Sequence, residues 1–297
     1  MKIPKILVSG ATGWVGRELL HILSQSGINL DSLVLISSKN QVIKINGNQL
    51  NVSSFNNQSI LSPVQSYFDF AFLPKNQLER YGPKEFKEIN LKIISNSTSL
   101  IKRVCPQTVI LASSGAIYRT KNFSLNDALY ADLKKNQEEE IRKACEISRS
   151  NLIVSRIFNL SGRGVTKESN YAIVDLTLKA MRNLDLTTSS NRKVTRRYCD
   201  LTQLLKLLVE MGKLNLNCTF DSGGVKMDLR TLSYKITEVI ETKSKVLFPD
   251  LYENLEADNY FSDSDNYEKL LLEMLGIESM SIENQIHNTR TALLSKL

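Results

Sequence analysis

Two residues one helical turn apart, Tyr130 and Lys134 in "ALYADLKK", could move a proton. At i,i+4 spacing a phenol and an ammonium share one helix face, and the cation favours phenolate, which suits general acid/base catalysis. The pair alone carries little weight: with ten tyrosines in the chain, roughly one Tyr-x-x-x-Lys arises by chance. Its meaning comes from what precedes it. "TVILASSGAIY" closes an apolar run on Ser113 and Ser114. A hydroxyl there could hold a substrate oxygen while a nicotinamide exchanges hydride with its carbon. Near the amino end, "KILVSGATGWVGRELL" sets Gly10, Gly13 and Gly16 as Gly-x-x-Gly-x-x-Gly between an apolar run and a helical pattern. Glycine allows the sharp turn and a close backbone approach to a pyrophosphate, and the helix amino terminus attracts the anion. The bland alternative is a tight structural turn without a ligand.

The second apolar run, "LVLISSKN", ends on Ser37, Ser38 and Lys39 with no Asp or Glu. A carboxylate at that place would repel a 2′-phosphate, whereas hydroxyls and an ammonium would accept it. The expected cofactor is therefore NADP, with NAD the alternative; the bland reading is a solvated loop.

These residues need a scaffold. "KILVSG", "SLVLIS", "FDFAFL", "TVILAS" and "NLIVSRIF" are apolar runs of strand length. They alternate with helical patterns in "RELLHILSQSG", "PKEFKEINLKIISNSTSLIKRV" and "ADLKKNQEEEIRKACEISRS". That alternation predicts an α/β fold, a doubly wound parallel sheet with ligands at the carboxyl ends of its strands. After about residue 160 the pattern loosens. "YAIVDLTLKAMRN", "RRYCDLTQLLKLLVEM", "NYEKLLLEML" and "SIENQIHNTRTALLSKL" read as helices and "LNCTFDSGG" as a strand and turn. The expected division is 1–160 for the dinucleotide domain and 161–297 for a smaller, mixed substrate lobe, with part of 193–221 returning to the first domain.

Bulk properties narrow the classes. The chain of 297 residues, 42% hydrophobic and 23% charged, has the composition of a soluble globular protein. No run approaches the length of a membrane span, and the amino terminus lacks a cleavage site after a long apolar core, so a cytoplasmic protein is expected. The four cysteines (Cys105, Cys145, Cys199, Cys218) form no CxxC and the two histidines lie at no metal-ligand spacing, so no metal is expected. The net charge of +7 is scattered rather than striped, which argues against a nucleic-acid partner.

Taken in order, "GATGWVG", "SSGAIY", "YADLK", "RIFNLSGRG" and "RRYCDL" resemble the extended short-chain dehydrogenases/reductases of the NAD-dependent epimerase/dehydratase family over nearly the whole chain. The resemblance implies a Rossmann fold and a catalytic set of Ser114, Tyr130 and Lys134. It implies a cofactor held by Gly10, Thr12, Gly13, Trp14, Val15, Gly16, Ser37, Ser38, Lys39, Leu73, Tyr130 and Lys134, with Lys134 touching the nicotinamide ribose. Asn90 matches a structural Asn on the helix before the catalytic strand. Asn159 and Arg196 match positions that hold the diphosphate of a nucleotide-sugar substrate, a task that suits a guanidinium. Homodimers are frequent in the family. The chain departs from the family in four places: a short stretch between "SSGAIY" and "YADLK", "LPKNQ" in place of small residues after the fourth strand, Gln203 where an Asp is usual, and no clear second phosphate-binding Arg near the carboxy terminus.

Within the family, dehydratases carry an Asp-Glu pair beside the catalytic hydroxyl. Here Gly115 and Ala116 follow Ser114, which argues against a 4,6-dehydratase. An epimerase acting at carbon 4 and a single-step NADPH-dependent ketoreductase both remain, with a redox-inactive dinucleotide-binding protein as a third reading.

Overall fold

A computed structural model describes residues 5–55, 64–118, 125–166, 171–188, 190–250 and 255–294. The chain divides into two compact units: Met1–Ile157 with Leu208–Phe220, and Phe158–Leu207 with Asp221–Leu297.

The first unit follows the alternation of the sequence. β1 (Lys5–Ser9) leads through the glycine loop to α1 (Trp14–Gln25), then to β2 (Leu33–Ser37), β3 (Gln41–Ile45), β4 (Asn48–Ser54) and β5 (Val64–Asp69). α2 (Leu78–Val104), β6 (Thr108–Ser114), α3 (Leu125–Ser148) and β7 (Asn151–Ile157) complete its amino-terminal part. α2 is broken at Gly82 (φ 72°), where Pro83 starts the long straight portion, as a residue without a backbone N–H does best at a helix start. β1 pairs in parallel with β2 and β5, and β5, β6 and β7 continue in parallel. Leu7, Ile36, Tyr67, Ile101, Val109, Ile141 and Val154 form one buried cluster between the sheet and α2 and α3. Continuous apolar strands of this kind are what a sheet covered on both faces requires.

Two local expectations change. The fourth Rossmann strand is Val64–Asp69 rather than "FDFAFL"; the chain leaves the sheet at Asp69, so Phe70–Leu73 lie past the strand end. Between β2 and β4 there is a hairpin where the sequence reading assigned no element: β3 and β4 pair antiparallel across Asn46 (φ 48°) and Gly47 (φ 82°). An Asn-Gly pair with both φ positive matches the right-handed twist of the flanking strands. β4 then pairs in parallel with β2, bringing Ser54 opposite Ser37.

The second unit begins with β8 (Asn159–Ser161), α4 (Ala172–Met181), β9 (Leu186–Thr187) and β10 (Val194–Asp200). α5 (Leu201–Lys213) and β11 (Cys218–Asp221) carry the chain back, and β11 borders β7 at the end of the large sheet. β12 (Val225–Asp228), α6 (Leu229–Ile240), β13 (Val246–Leu247), β14 (Asp258–Tyr260), α7 (Asn266–Leu275) and α8 (Ile282–Leu294) follow. "RRYCD", expected to be helical, is strand: β10 pairs with β12, β14 and β8. The helical period starts only at Leu201, where Asp200 Oδ1 accepts from Gln203 N (2.9 Å) at the head of α5. Gln203 itself bonds Met280 N and Glu278 O rather than capping anything. α4, α6 and α8 pack on one another, with Ile173, Leu232, Ile236 and Ile286 buried.

Candidate functional site

The glycine loop is built for close approach. Gly10 has φ +67°, and a Cβ there would stand 2.6 Å from Phe70 O; a Cβ on Gly16 would collide with Gly10 O. Gly13 N donates to Gly10 O (3.0 Å) and Gly13 O receives Arg17 N (2.8 Å), closing the turn into α1. No side chain caps α1, so its head is glycine backbone, which an anion can approach. Trp14 and Val15 are half-buried and Thr12 O accepts from Arg17 Nε (3.1 Å). At the end of β2, Ser37 Oγ is buried and used locally, donating to Lys39 O (2.7 Å) and accepting from Gln41 Nε2 (3.1 Å). Ser38 and Lys39 are exposed.

At the end of β5 lies an unforeseen acid. Asp69, fully buried, accepts from Ser9 Oγ (2.5 Å) and Ser97 Oγ (3.1 Å) through Oδ1, and Tyr67 donates to Ser97 (3.2 Å). Its Oδ2 has no hydrogen-bond partner among the described residues. Burial raises its pKa against the pull of those hydrogen bonds and of the Lys134 charge. Just beyond it, Asn90 on α2 grips the backbone of Leu73: Leu73 N donates to Asn90 Oδ1 (2.8 Å), and Asn90 Nδ2 donates to Phe86 O (3.1 Å). Lys75 pairs with Asp127 in the first turn of α3, so the segment beyond β5 is tied at both Leu73 and Lys75.

The proton-moving residues stand on α3 and at the end of β6. Ser113 and Ser114 are the last two residues of β6 and are used differently. Ser113 Oγ donates to Glu138 (2.5 Å), while Ser114 Oγ accepts from Ala116 N (3.2 Å). Tyr130 is half-buried, its ring edge-on to Phe72 with centroids 5.8 Å apart. Lys134 is buried; its Nζ donates to Ala112 O (3.0 Å) and Gln137 Oε1 (2.9 Å) and stands 3.8 Å over the Phe72 ring. Burial pulls Lys134 down to about 7, although the Asp69 and Glu138 carboxylates work the other way. The short stretch 119–124 before Tyr130 lies outside the described residues, as does 167–170.

In the second unit, Asn159 is buried on β8 and its Nδ2 donates to Tyr260 O (3.3 Å). Arg196, on β10, is largely occupied: Nη2 pairs with Asp258 Oδ2 (2.8 Å) and Nη1 donates to Thr195 O (2.9 Å) and Asp258 O (2.8 Å). A small cleft in the same unit, lined by Thr188, Ser190, Arg192, Lys193, Asp228 and Arg230 among others, gathers three cations not foreseen from the sequence. The tripeptide "NRK" before β10 was the available signal.

The head of α1 carries no side-chain cap, so its backbone N–H groups suit the pyrophosphate of a nicotinamide dinucleotide, while Gly10 and Gly16 are demanded by the close approach of Phe70 O and Gly10 O. At the other end, two of the three N–H bonds of Lys134 are spent on protein acceptors and the Phe72 ring faces the ammonium.

Comparison with known proteins places the chain. The family model for the NAD dependent epimerase/dehydratase family matches residues 6–214. No curated protein matches the chain in sequence. Among solved structures it is similar to the UDP-N-acetylglucosamine 4-epimerase of Methanobrevibacter ruminantium M1 in complex with UDP-N-acetylmuramic acid (TM-score 0.76, 18% identity, all of both chains covered). It is also similar to MoeE5 in complex with UDP-glucuronic acid and NAD (0.75, 15%, 99% of this chain and 100% of that one). The UDP-glucose 4-epimerase of Thermus thermophilus in complex with NAD resembles it to much the same degree (0.73, 15%, 99% and 100%). At these identities the structural likeness speaks for the fold; with the family model spanning well over half of its residues, the chain belongs to the NAD dependent epimerase/dehydratase family.

Proposed function

We propose that the protein is a nicotinamide-dinucleotide-dependent epimerase of a nucleotide-diphosphate sugar, acting at carbon 4. The observation that carries the reading is the bond from Lys134 Nζ to Ala112 O, which ties the Tyr-Lys helix to the strand that ends in Ser114. A bound dinucleotide supplies the hydride acceptor and donor. Tyr130, held towards phenolate by the ammonium one turn away, takes the proton of the substrate hydroxyl and returns it to the epimeric oxygen. Ser114 holds that oxygen. Asn159 and Arg196 meet the nucleotide diphosphate, with Asp258 giving way to phosphate at Arg196, and Arg192, Lys193 and Arg230 add positive charge nearby. Gly115 and Ala116 leave no acid beside Ser114, so water elimination is disfavoured.

The test is incubation with UDP-glucose and UDP-N-acetylglucosamine, with detection of the C4 epimers. Interconversion without added reductant supports the epimerase; reduction of a 4-keto sugar only when NADPH is supplied would replace it with the ketoreductase. Tyr130→Phe should lower turnover about 10²–10⁴-fold while dinucleotide binding survives. If the variant keeps full activity, Tyr130 is not the acid/base.

We further infer a preference for NADP, supported by the absence of a carboxylate at the end of β2 and by the exposed Ser38 and Lys39. The related MoeE5 and T. thermophilus structures hold NAD. Titration with NADPH and NADH decides it, and tighter NADH binding overturns the preference.

A further inference from the structure

Glu138 lies one helical turn beyond Lys134 on α3 and points at two strands. Its Oε1 accepts from Ser113 Oγ (2.5 Å) at the end of β6 and from Arg156 Nε (3.0 Å) on β7; its Oε2 accepts from Arg156 Nη2 (2.8 Å). Arg156 continues to Tyr118, donating to its hydroxyl (2.5 Å) with the guanidinium 5.0 Å over its ring. The carboxylate and the guanidinium are 10% and 22% exposed, so the bidentate pair is largely shielded from water, where such geometry is most specific. The links close a loop. Ser113 precedes Ser114 directly and Tyr118 follows it by four residues, so both flanks of Ser114 are tied, through Arg156 and Glu138, to the helix bearing Tyr130 and Lys134.

We propose that Glu138 is a positioning residue, which sets Ser114 against Tyr130 by clamping the end of β6 to α3 through Ser113 and Arg156. Ser113 thereby acquires a role distinct from that of its neighbour: it is an anchor, and its hydroxyl is unavailable to a substrate because the carboxylate holds it. The inference rests on the epimerase reading only for its kinetic arm. Lys134 faces Asp69 from β5 and Glu138 from its own helix. Removing the Glu138 carboxylate therefore takes away one of the two acids that favour the Lys134 ammonium and alters the field at the Tyr130 phenol.

The experiment compares wild type, Ser113→Ala and Glu138→Ala by steady-state kinetics, dinucleotide titration and thermal melting. The Tyr130 phenolate band is titrated alongside, as the ultraviolet difference from Tyr130→Phe. Ser113→Ala, which removes one hydroxyl, should cut kcat about tenfold and Glu138→Ala about a hundredfold, the scale of a small misplacement of reacting groups, with KM and dinucleotide affinity unchanged. The phenolate midpoint should move in Glu138→Ala and stay put in Ser113→Ala. Unchanged kcat and an unmoved midpoint in Glu138→Ala would overturn the proposal. So would a loss of kcat matched by equal losses of dinucleotide affinity and melting temperature, which is plain destabilisation. If wild type turns over no nucleotide sugar, the proposed function falls and the phenolate titration alone decides the clamp.

Discussion

Lys134 and Asp69 are ionisable groups kept out of water inside the first unit, and each is displaced towards neutrality by that burial. Lys134 should be visible by NMR as a side-chain amine titrating at about 7, well below the ordinary lysine value. Asp69→Asn should lower its midpoint further, because the carboxylate favours the ammonium; a rise would contradict the coupling. The sign for stability is the reverse. With its pKa raised on folding, Asp69 binds more protons folded than unfolded above the ordinary carboxylate range, so its contribution falls as pH rises through that window. At neutral pH Asp69→Asn should therefore stabilise the fold, read as an upward shift of the melting temperature that disappears in acid. Neither group was equally legible beforehand. Lys134 announced itself through its spacing from Tyr130, whereas Asp69 looked like one polar residue inside an apolar run. Glu138 and Arg156 are eighteen residues apart and meet only because α3 folds back along β6 and β7, which no local pattern encodes. Arg196 was legible as a cation but not as the partner of Asp258, which is sixty-two residues away.

At the scale of elements, the glycine loop was the most readable piece because steric demand writes itself into sequence. Gly16→Ala forces a Cβ onto Gly10 O, and it should abolish dinucleotide binding and lower stability by about 1–3 kcal/mol, checked by titration calorimetry and denaturant melts. In the second unit, Asp228 caps α6 by accepting from Arg230 N and Thr231 N, both at 3.1 Å. Asp228→Ala should cost about 1 kcal/mol in the same melts, without touching Tyr130. The strands "SLVLIS", "TVILAS" and "NLIVSRIF" were readable because strands buried on both faces are apolar throughout. "RRYCD" was not, because its polar residues join the apolar period of the following helix, and strand pairing with β12 and β14 decides its state. The hairpin of β3 and β4 carried its signal in the open, alternation around Asn-Gly, in a stretch to which the sequence reading assigned no element.

At the scale of the molecule, the first unit is discontinuous in sequence. Its large sheet ends in β11, contributed by a segment that returns from the second unit. A fragment ending at Ile157 would leave β7 with an unpaired edge and lack the returning part of α5, and such edges aggregate. It should be insoluble or molten by near-ultraviolet circular dichroism, while a version carrying residues 208–220 through a linker should recover order; a well-folded 1–157 fragment would refute this. Among the described residues no helix is long and apolar enough to cross a membrane. The hairpin tip has a practical use as well. Gly47 has open space around it but holds φ +82°, so a side chain there would strain the turn, and the adjacent Asn46 Oδ1 touches His21 Nδ1 (2.8 Å) on α1, the helix that follows the glycine loop. A cysteine and fluorophore at exposed Gln49, just past that strained turn, would place an optical reporter beside α1 without disturbing the Asn-Gly pair.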